Sequence, residues 1–295
     1  MPLLPREVLG KLRENLREYG LRETLERSAL WTMERLLAST LHRYRRVPLS
    51  AFAEAAASMH LSAQEVVESY LLSENRESEL SQMRSEYQTL CVQIAERYRQ
   101  QRVVYPQHYG VEEGSAFLLY AIVRCRRPSV VVETGVANGH SSFFILSAMC
   151  ANGHGILHSV DRSAEVGSLL ADEQRQSWRL HVLREANLKR SFREVLASLP
   201  PLDMFVHDSD HHYSWMWFEL QAALKALAPG GIVVSDDCDG CFAFLDACQC
   251  FDARPIILVD TRKIFGLIFT QPKSGSARNA NGQGSMAQRS HLVRV

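Results

Sequence analysis

The sequence has no surplus of either charge: 33 lysines and arginines stand against 33 aspartates and glutamates. That removes any global electrostatic case for nucleic acid or an anionic membrane surface as partner. Long apolar runs are also missing. The longest, "AFLLYAIV" (116–123), falls far short of the roughly 20 residues a bilayer span needs. The N-terminus, "MPLLPREVLGKLREN", carries charges where a signal peptide needs an apolar core, so a cytoplasmic location is expected. Cysteine is sparse and irregular. Seven residues (91, 125, 150, 238, 241, 248, 250) make an odd number without the framework of a small secreted domain, which predicts reduced thiols. No internal repeat is visible, and neither is the dinucleotide fingerprint G-x-G-x-x-G.

What is present divides into three parts. Residues 1–104 read as a helical region, a cap or dimerisation segment. Val8, Leu9, Leu12, Leu16 and Tyr19 recur at helical spacing, as do Leu21, Leu25, Leu36, Leu37 and Leu41. Ser62 with Glu65 has the form of a capping box. Residues 49–71 faintly resemble a helix-turn-helix, but no helix there is rich in base-reading side chains, so packing is the better reading. Residues 105–271 change texture. "SVVVET" (129–134) is a β-branched run suited to a strand buried on both faces. "GILHSVD" (155–161), "RLHVLRE" (179–185), "LDMFVHD" (202–208) and "GGIVVSD" (230–236) follow at intervals that leave room for a helix between each. That alternation predicts an α/β fold, a doubly wound and mostly parallel sheet. "PIILVD" and "KIFGLIFT", separated by Thr261-Arg262, predict an antiparallel pair at the end. Residues 272–295 are rich in Gly, Ser and Asn and predict a flexible tail.

After the first predicted strand comes Glu133-Thr134-Gly135-Val136-Ala137-Asn138-Gly139-His140-Ser141-Ser142. Small residues at 135, 137 and 139 let backbone approach a ligand closely at a strand-to-helix turn. Glu133 suits the ammonium of an amino-acid ligand, and Asp161, ending the next strand, suits the two hydroxyls of a ribose. Together with "LAPGG" (227–231), these elements resemble a class I S-adenosylmethionine-dependent methyltransferase over roughly 114–270. The resemblance implies a seven-stranded sheet with the last strand antiparallel. It also implies cofactor contact by Glu133, Gly135, Ala137, Gly139, Ser141 and Asp161, with Asn187 near the adenine where many relatives carry aspartate.

"VHDSDHHY" (206–213) packs two aspartates and three histidines into one strand end. Asp208 there and Asp236-Asp237 after the next strand converge at the carboxyl edge of a parallel sheet. Three carboxylates repel unless cations or protons intervene, and an all-oxygen set favours Mg2+ or a similar ion over zinc. The pattern is similar to cation-dependent small-molecule O-methyltransferases of the catechol, caffeoyl-CoA and macrolide-sugar types. Carried over, Asp208, Asp236 and Asp237 bind the metal, Asp210 lies near the cofactor, and His211 stands where the catechol-like enzymes often have a lysine base. Neutral imidazole suits proton removal near pH 7.

The reading that results is S-adenosylmethionine-dependent O-methylation of a hydroxyl on a small molecule, a natural-product sugar or polyketide, with homodimerisation through the N-terminal helices and no nucleic-acid or membrane partner. The alternatives are a metal-free methyltransferase using His211 alone, a phosphoesterase of the Asp-His-His type, and a non-catalytic cofactor binder. Tyr105, His108 and Tyr109 are acceptor contacts or aromatic packing. His207 fits a core position, and His212 and Tyr213 line the acceptor pocket or begin a helix. Cys238, Cys241, Cys248 and Cys250 lack the knuckle spacing of a zinc site and are expected to pack as small hydrophobes.

Overall fold

The computed structural model describes residues 42–72 and 77–270; the helical stripes read at 1–41 and the tail at 272–295 lie outside them. Helices α1 (Leu49–Ala55), α2 (Ala63–Tyr70), α3 (Glu77–Gln100) and α4 (Glu113–Arg126) precede the alternating part, with strand β1 (Ser58–His60) between the first two. There follow β2 (Val130–Thr134), α5 (His140–Asn152), β3 (Ile156–Asp161), α6 (Asp172–Arg175), β4 (Trp178–Val182), α7 (Leu188–Ala197), β5 (Leu202–His207) and α8 (Tyr213–Ala226). Strand β6 (Leu227–Ser235), helix α9 (Ala243–Cys250) and the pair β7 (Ile256–Val259) and β8 (Ile264–Phe269) come last among the described residues. Every strand expected after residue 128 is present within a few residues.

One sheet, in the order β1-β7-β8-β6-β5-β2-β3-β4, runs through the molecule, and β8 alone is antiparallel to its neighbours. It has eight strands where seven were expected. The extra one, β1, pairs Ser58, Met59 and His60 in parallel with Ile256, Ile257 and Leu258. Without it, β7 would be an edge strand with a row of open donors and acceptors. The strand also separates α1 from α2, so residues 49–71 are not a helix-turn-helix. Ser62 caps α2 as expected, its hydroxyl accepting from the Gln64 amide at 3.2 Å. Glu65 leans instead toward His60 Nδ1, 3.4 Å away.

The apolar strands serve two cores at once. Val131, Met204, Val206, Ile232 and Val234 face α2 to α5, while Val132, Phe205 and Val233 face α1 and α7 to α9. Successive side chains point to opposite faces, so a strand covered on both sides must be apolar at every position. Strand order reverses between β2, which leads on to β3 and β4, and β5, which leads to β6. Crevices at such a reversal, beyond the carboxyl ends of the strands, are where ligands bind.

Candidate active site

The loop after β2 departs from ordinary backbone at three positions: Gly135, Ala137 and Gly139 have φ of 79°, 46° and 89°. Gly135 has no room for a side chain, since a Cβ there would lie 2.0 Å from the Asp208 carbonyl oxygen. The loop therefore rests directly on the strand end that carries the acidic motif. Asp161 buttresses the loop, its Oδ2 accepting from the Val136 amide at 2.9 Å and its Oδ1 from the Ser163 amide at 3.0 Å. Gly139 is the N-cap of α5, and the first amides of a helix lack partners within it. Asn187 caps α7 by accepting from the Arg190 amide at 3.1 Å, at the carboxyl end of β4. Loop and carboxylate meet beyond the ends of β2 and β3.

Glu133 corrects the sequence reading. Its side chain is fully buried, and its carboxylate accepts from Ser141 at 2.5 Å, Ser142 at 2.6 Å and Ser159 at 2.9 Å. Burial raises its pKa against the pull of those hydroxyls. A carboxylate so enclosed cannot reach a ligand's ammonium. It locks α5 to the sheet, and the Ser141 hydroxyl is spent on that lock.

Behind the acidic motif lies a second buried carboxylate. Glu219 Oε2 accepts from Thr134 at 2.8 Å, Ser209 at 2.8 Å and His207 Nδ1 at 2.7 Å, while Oε1 accepts from Trp215 at 2.6 Å. It ties β2, the end of β5 and the first turns of α8 into one unit. His207, a core residue as expected, stands edge-on to His211 with ring centroids 5.3 Å apart. His211 Nδ1 is buried without a partner, and Nε2 lies 3.8 Å from Asp208 and 3.7 Å from Asp237, too far for hydrogen bonds. Burial first, and His207 second, hold its pKa well below the ordinary histidine value, so the ring is neutral at pH 7. Asp210, its side chain 53% exposed, is bonded to His212 rather than to His211.

Asp208, Asp236 and Asp237 converge as expected, but a side chain the sequence reading passed over stands among them. Lys263 Nζ is 2.6 Å from Asp236 Oδ2 and 3.2 Å from Asp237 Oδ2. The remaining excess charge shows in Asp208, whose carboxyl is pushed well above the usual range by burial and then by Asp236. The carboxylate seat expected to hold Mg2+ is thus filled by an ammonium, and this donor set does not fit a divalent ion as it stands. Among the described residues, no cluster of His, Cys, Asp and Glu is arranged to hold a metal. The thiols play the packing role expected of Cys238, Cys241 and Cys248, which are buried, whereas Cys250 is exposed.

Asn138 is a further residue that sequence reasoning missed. Its Oδ1 accepts from the amides of Val104 at 3.2 Å and Tyr105 at 3.1 Å, and its Nδ2 donates to the Tyr105 carbonyl at 2.7 Å. These three bonds strap the segment between α3 and α4 across the crevice loop. Asn138→Ala, which loses three bonds at roughly 0.5–1.5 kcal/mol each, is expected to weaken S-adenosylhomocysteine binding at least about tenfold and to lower the melting temperature by several degrees. Calorimetric titration of the variant beside the parent checks this, and unchanged affinity would dismiss the strap as a ligand device.

With the geometry in view, the chain can be set beside known proteins. Residues 132–238 match the family model described as a methyltransferase domain. No curated protein matches the sequence. Among solved structures, the O-methyltransferase TomG from Streptomyces achromogenes, involved in tomaymycin synthesis and in complex with S-adenosylmethionine, is 19% identical. The similarity covers 70% of this chain and 94% of that one, with a TM-score of 0.45. An O-methyltransferase from Bacillus cereus, in complex with S-adenosylhomocysteine, is 12% identical, covering 74% and 100% with a TM-score of 0.44. MycE from the mycinamycin biosynthetic pathway, in complex with Mg, S-adenosylhomocysteine and mycinamycin VI, is 14% identical, covering 52% and 48% with a TM-score of 0.40. Over residues 132–238, then, this chain is similar to the methyltransferase domains that the family model describes.

Proposed function

We propose that the protein transfers a methyl group from S-adenosylmethionine to a hydroxyl of a small molecule, a natural-product sugar or polyketide, with His211 as the general base. The observation that carries this reading is the His211 imidazole just after β5, neutral at pH 7, whose Nε2 lies 3.8 Å from Asp208 and 3.7 Å from Asp237, beyond hydrogen-bond reach of either. A hydroxyl must give up its proton to become a competent nucleophile, and a base at the strand edge would take it.

The cofactor, when bound, supplies an electrophilic methyl group on a sulfonium; the chain's own residues do the rest. Asp161 and the first amides of α5 hold and orient it, with Gly135, Ala137 and Gly139 shaping the loop that it crosses. His211 takes the proton from the acceptor hydroxyl, and the nearby carboxylate of Asp237 stabilises the imidazolium that forms. Positioning supplies much of the remaining rate, because the two reacting centres must be held near contact and in line. For the acceptor we favour the cavity of about 290 Å³ between residues 46–49 and the β7–β8 turn, lined by Arg46, Asp239, Arg262 and Lys263. A cation-assisted route is not part of this proposal, because Lys263 stands where the ion would sit.

Two measurements test it. Titration with S-adenosylhomocysteine should show one-to-one binding of order micromolar, about −8 kcal/mol, that Asp161→Ala weakens. Methyl transfer from labelled S-adenosylmethionine should be found against polyhydroxylated acceptors. Binding without transfer to any acceptor would reduce the protein to a cofactor binder, and no binding at all would sink the assignment.

A further inference from the structure

We propose that Lys263 is a built-in counter-cation that takes the place of a divalent metal ion, so that this chain keeps a three-carboxylate strand edge without binding metal there. The ammonium lies 2.6 Å from Asp236 and 3.2 Å from Asp237. An ion binding those same oxygens would sit roughly 2.0–2.6 Å from each, which places it against the ammonium. Two cations cannot share that space, so one excludes the other.

Lys263 is not a surface lysine that has strayed inward. Its side chain is 12% exposed, and the turn that carries it is held from several sides. Buried Glu112, just before α4, accepts from the Arg262 amide at 2.8 Å, Arg262 Nε at 2.7 Å and the Lys263 amide at 3.2 Å. Asp260 accepts from the Ser115 amide at 2.7 Å and its hydroxyl at 2.8 Å. Directly after Lys263, the Ile264 carbonyl accepts from the Cys238 amide at 2.9 Å, joining the turn to the loop of Asp237. To admit a metal, Lys263 would have to withdraw while its backbone stayed pinned. The carboxylates nonetheless keep an open donor: Asp236 Oδ1 is buried and has no partner. Removing the ammonium leaves that oxygen, with Asp208 and Asp237, free to ligate.

The decisive experiment is titration of the full-length protein with Mn2+, followed by electron paramagnetic resonance and by thermal unfolding, with no cofactor or acceptor present. The parent protein should hold no Mn2+ at this edge. Lys263→Met should gain one site at least about tenfold tighter than any in the parent, and its melting temperature should rise with added Mn2+ because only the folded state offers the site. Lys263→Gln is a second variant in case the methionine is poorly tolerated, and Asp237→Asn added to either should abolish the gain. Stoichiometric Mn2+ binding by the parent, lost in Asp237→Asn, would overturn the proposal. So would a folded Lys263→Met or Lys263→Gln protein that gains no Mn2+ site. Because no methyl transfer is read, failure here leaves the proposed reaction standing, and failure of that reaction leaves this inference intact.

Discussion

His211→Ala should lose about 10²- to 10⁴-fold in turnover, the usual contribution of a positioned general base, while binding of S-adenosylhomocysteine stays within about twofold. The split follows from where the imidazole stands. No hydrogen bond joins it to the loop from Gly135 to Gly139 or to Asp161, the groups proposed to hold the cofactor. Its lowered pKa adds a second signature. A base that is already neutral at pH 7 loses competence only when acid protonates it. The acid limb of the rate profile should therefore lie below the ordinary histidine value of about 6.5, and it should vanish in the alanine variant. Turnover that survives the substitution would remove the base assignment; loss of cofactor affinity in its place would make His211 a binding residue.

Much of this fold was legible because its strands are buried on both faces. Runs such as Val130–Val132 and Ile232–Val234 can hardly be anything but strands under helices, and their spacing forces parallel crossovers. The strand Ser58–His60 was not legible, since three residues with neither alternation nor β-branching become a strand only because β7 offers an open edge. At the site, the carboxylates could be found because each ends a strand and all such ends meet on one edge. Lys263 hides by being one lysine among ordinary turn residues. Yet the expected antiparallel pair already held the clue: a turn joining a strand parallel to β6 with one antiparallel to it must lie at the same carboxyl edge as Asp236. Glu133 misled for the opposite reason. Sequence reveals an acid beside a glycine loop, but not that three serines, two from α5 and one from β3, close over it.

Glu219→Ala should be the most damaging single change to the folded state outside the apolar core. It strands four donors at once, from Thr134, Ser209, His207 and Trp215, in a region where Glu219 and His207 are 1% and 0% exposed. Hydrogen bonds to a charged acceptor are worth roughly 1.5–3 kcal/mol each, and a buried donor without a partner costs more than the bond it lost. Partial rescue by water entering the vacated space keeps the total near 3–5 kcal/mol, which at about 2–4 °C per kcal/mol for a chain this size is a fall in melting temperature of order 10 °C. Glu219→Gln is the informative companion. It keeps the shape, but its amide nitrogen must face either Trp215 or the other three donors, so it should fall between the alanine variant and the parent. Because Ser209 and His207 flank Asp208, the same substitutions should also slow turnover at temperatures far below melting. A melting temperature within a degree or two of the parent's would mean that these four bonds hold nothing together. A large drop with turnover intact would mean that Glu219 braces the sheet without setting the geometry of Asp208 and His211. Loss of both is expected, since one carboxylate fastens the strand end on which the base and the acidic edge are built.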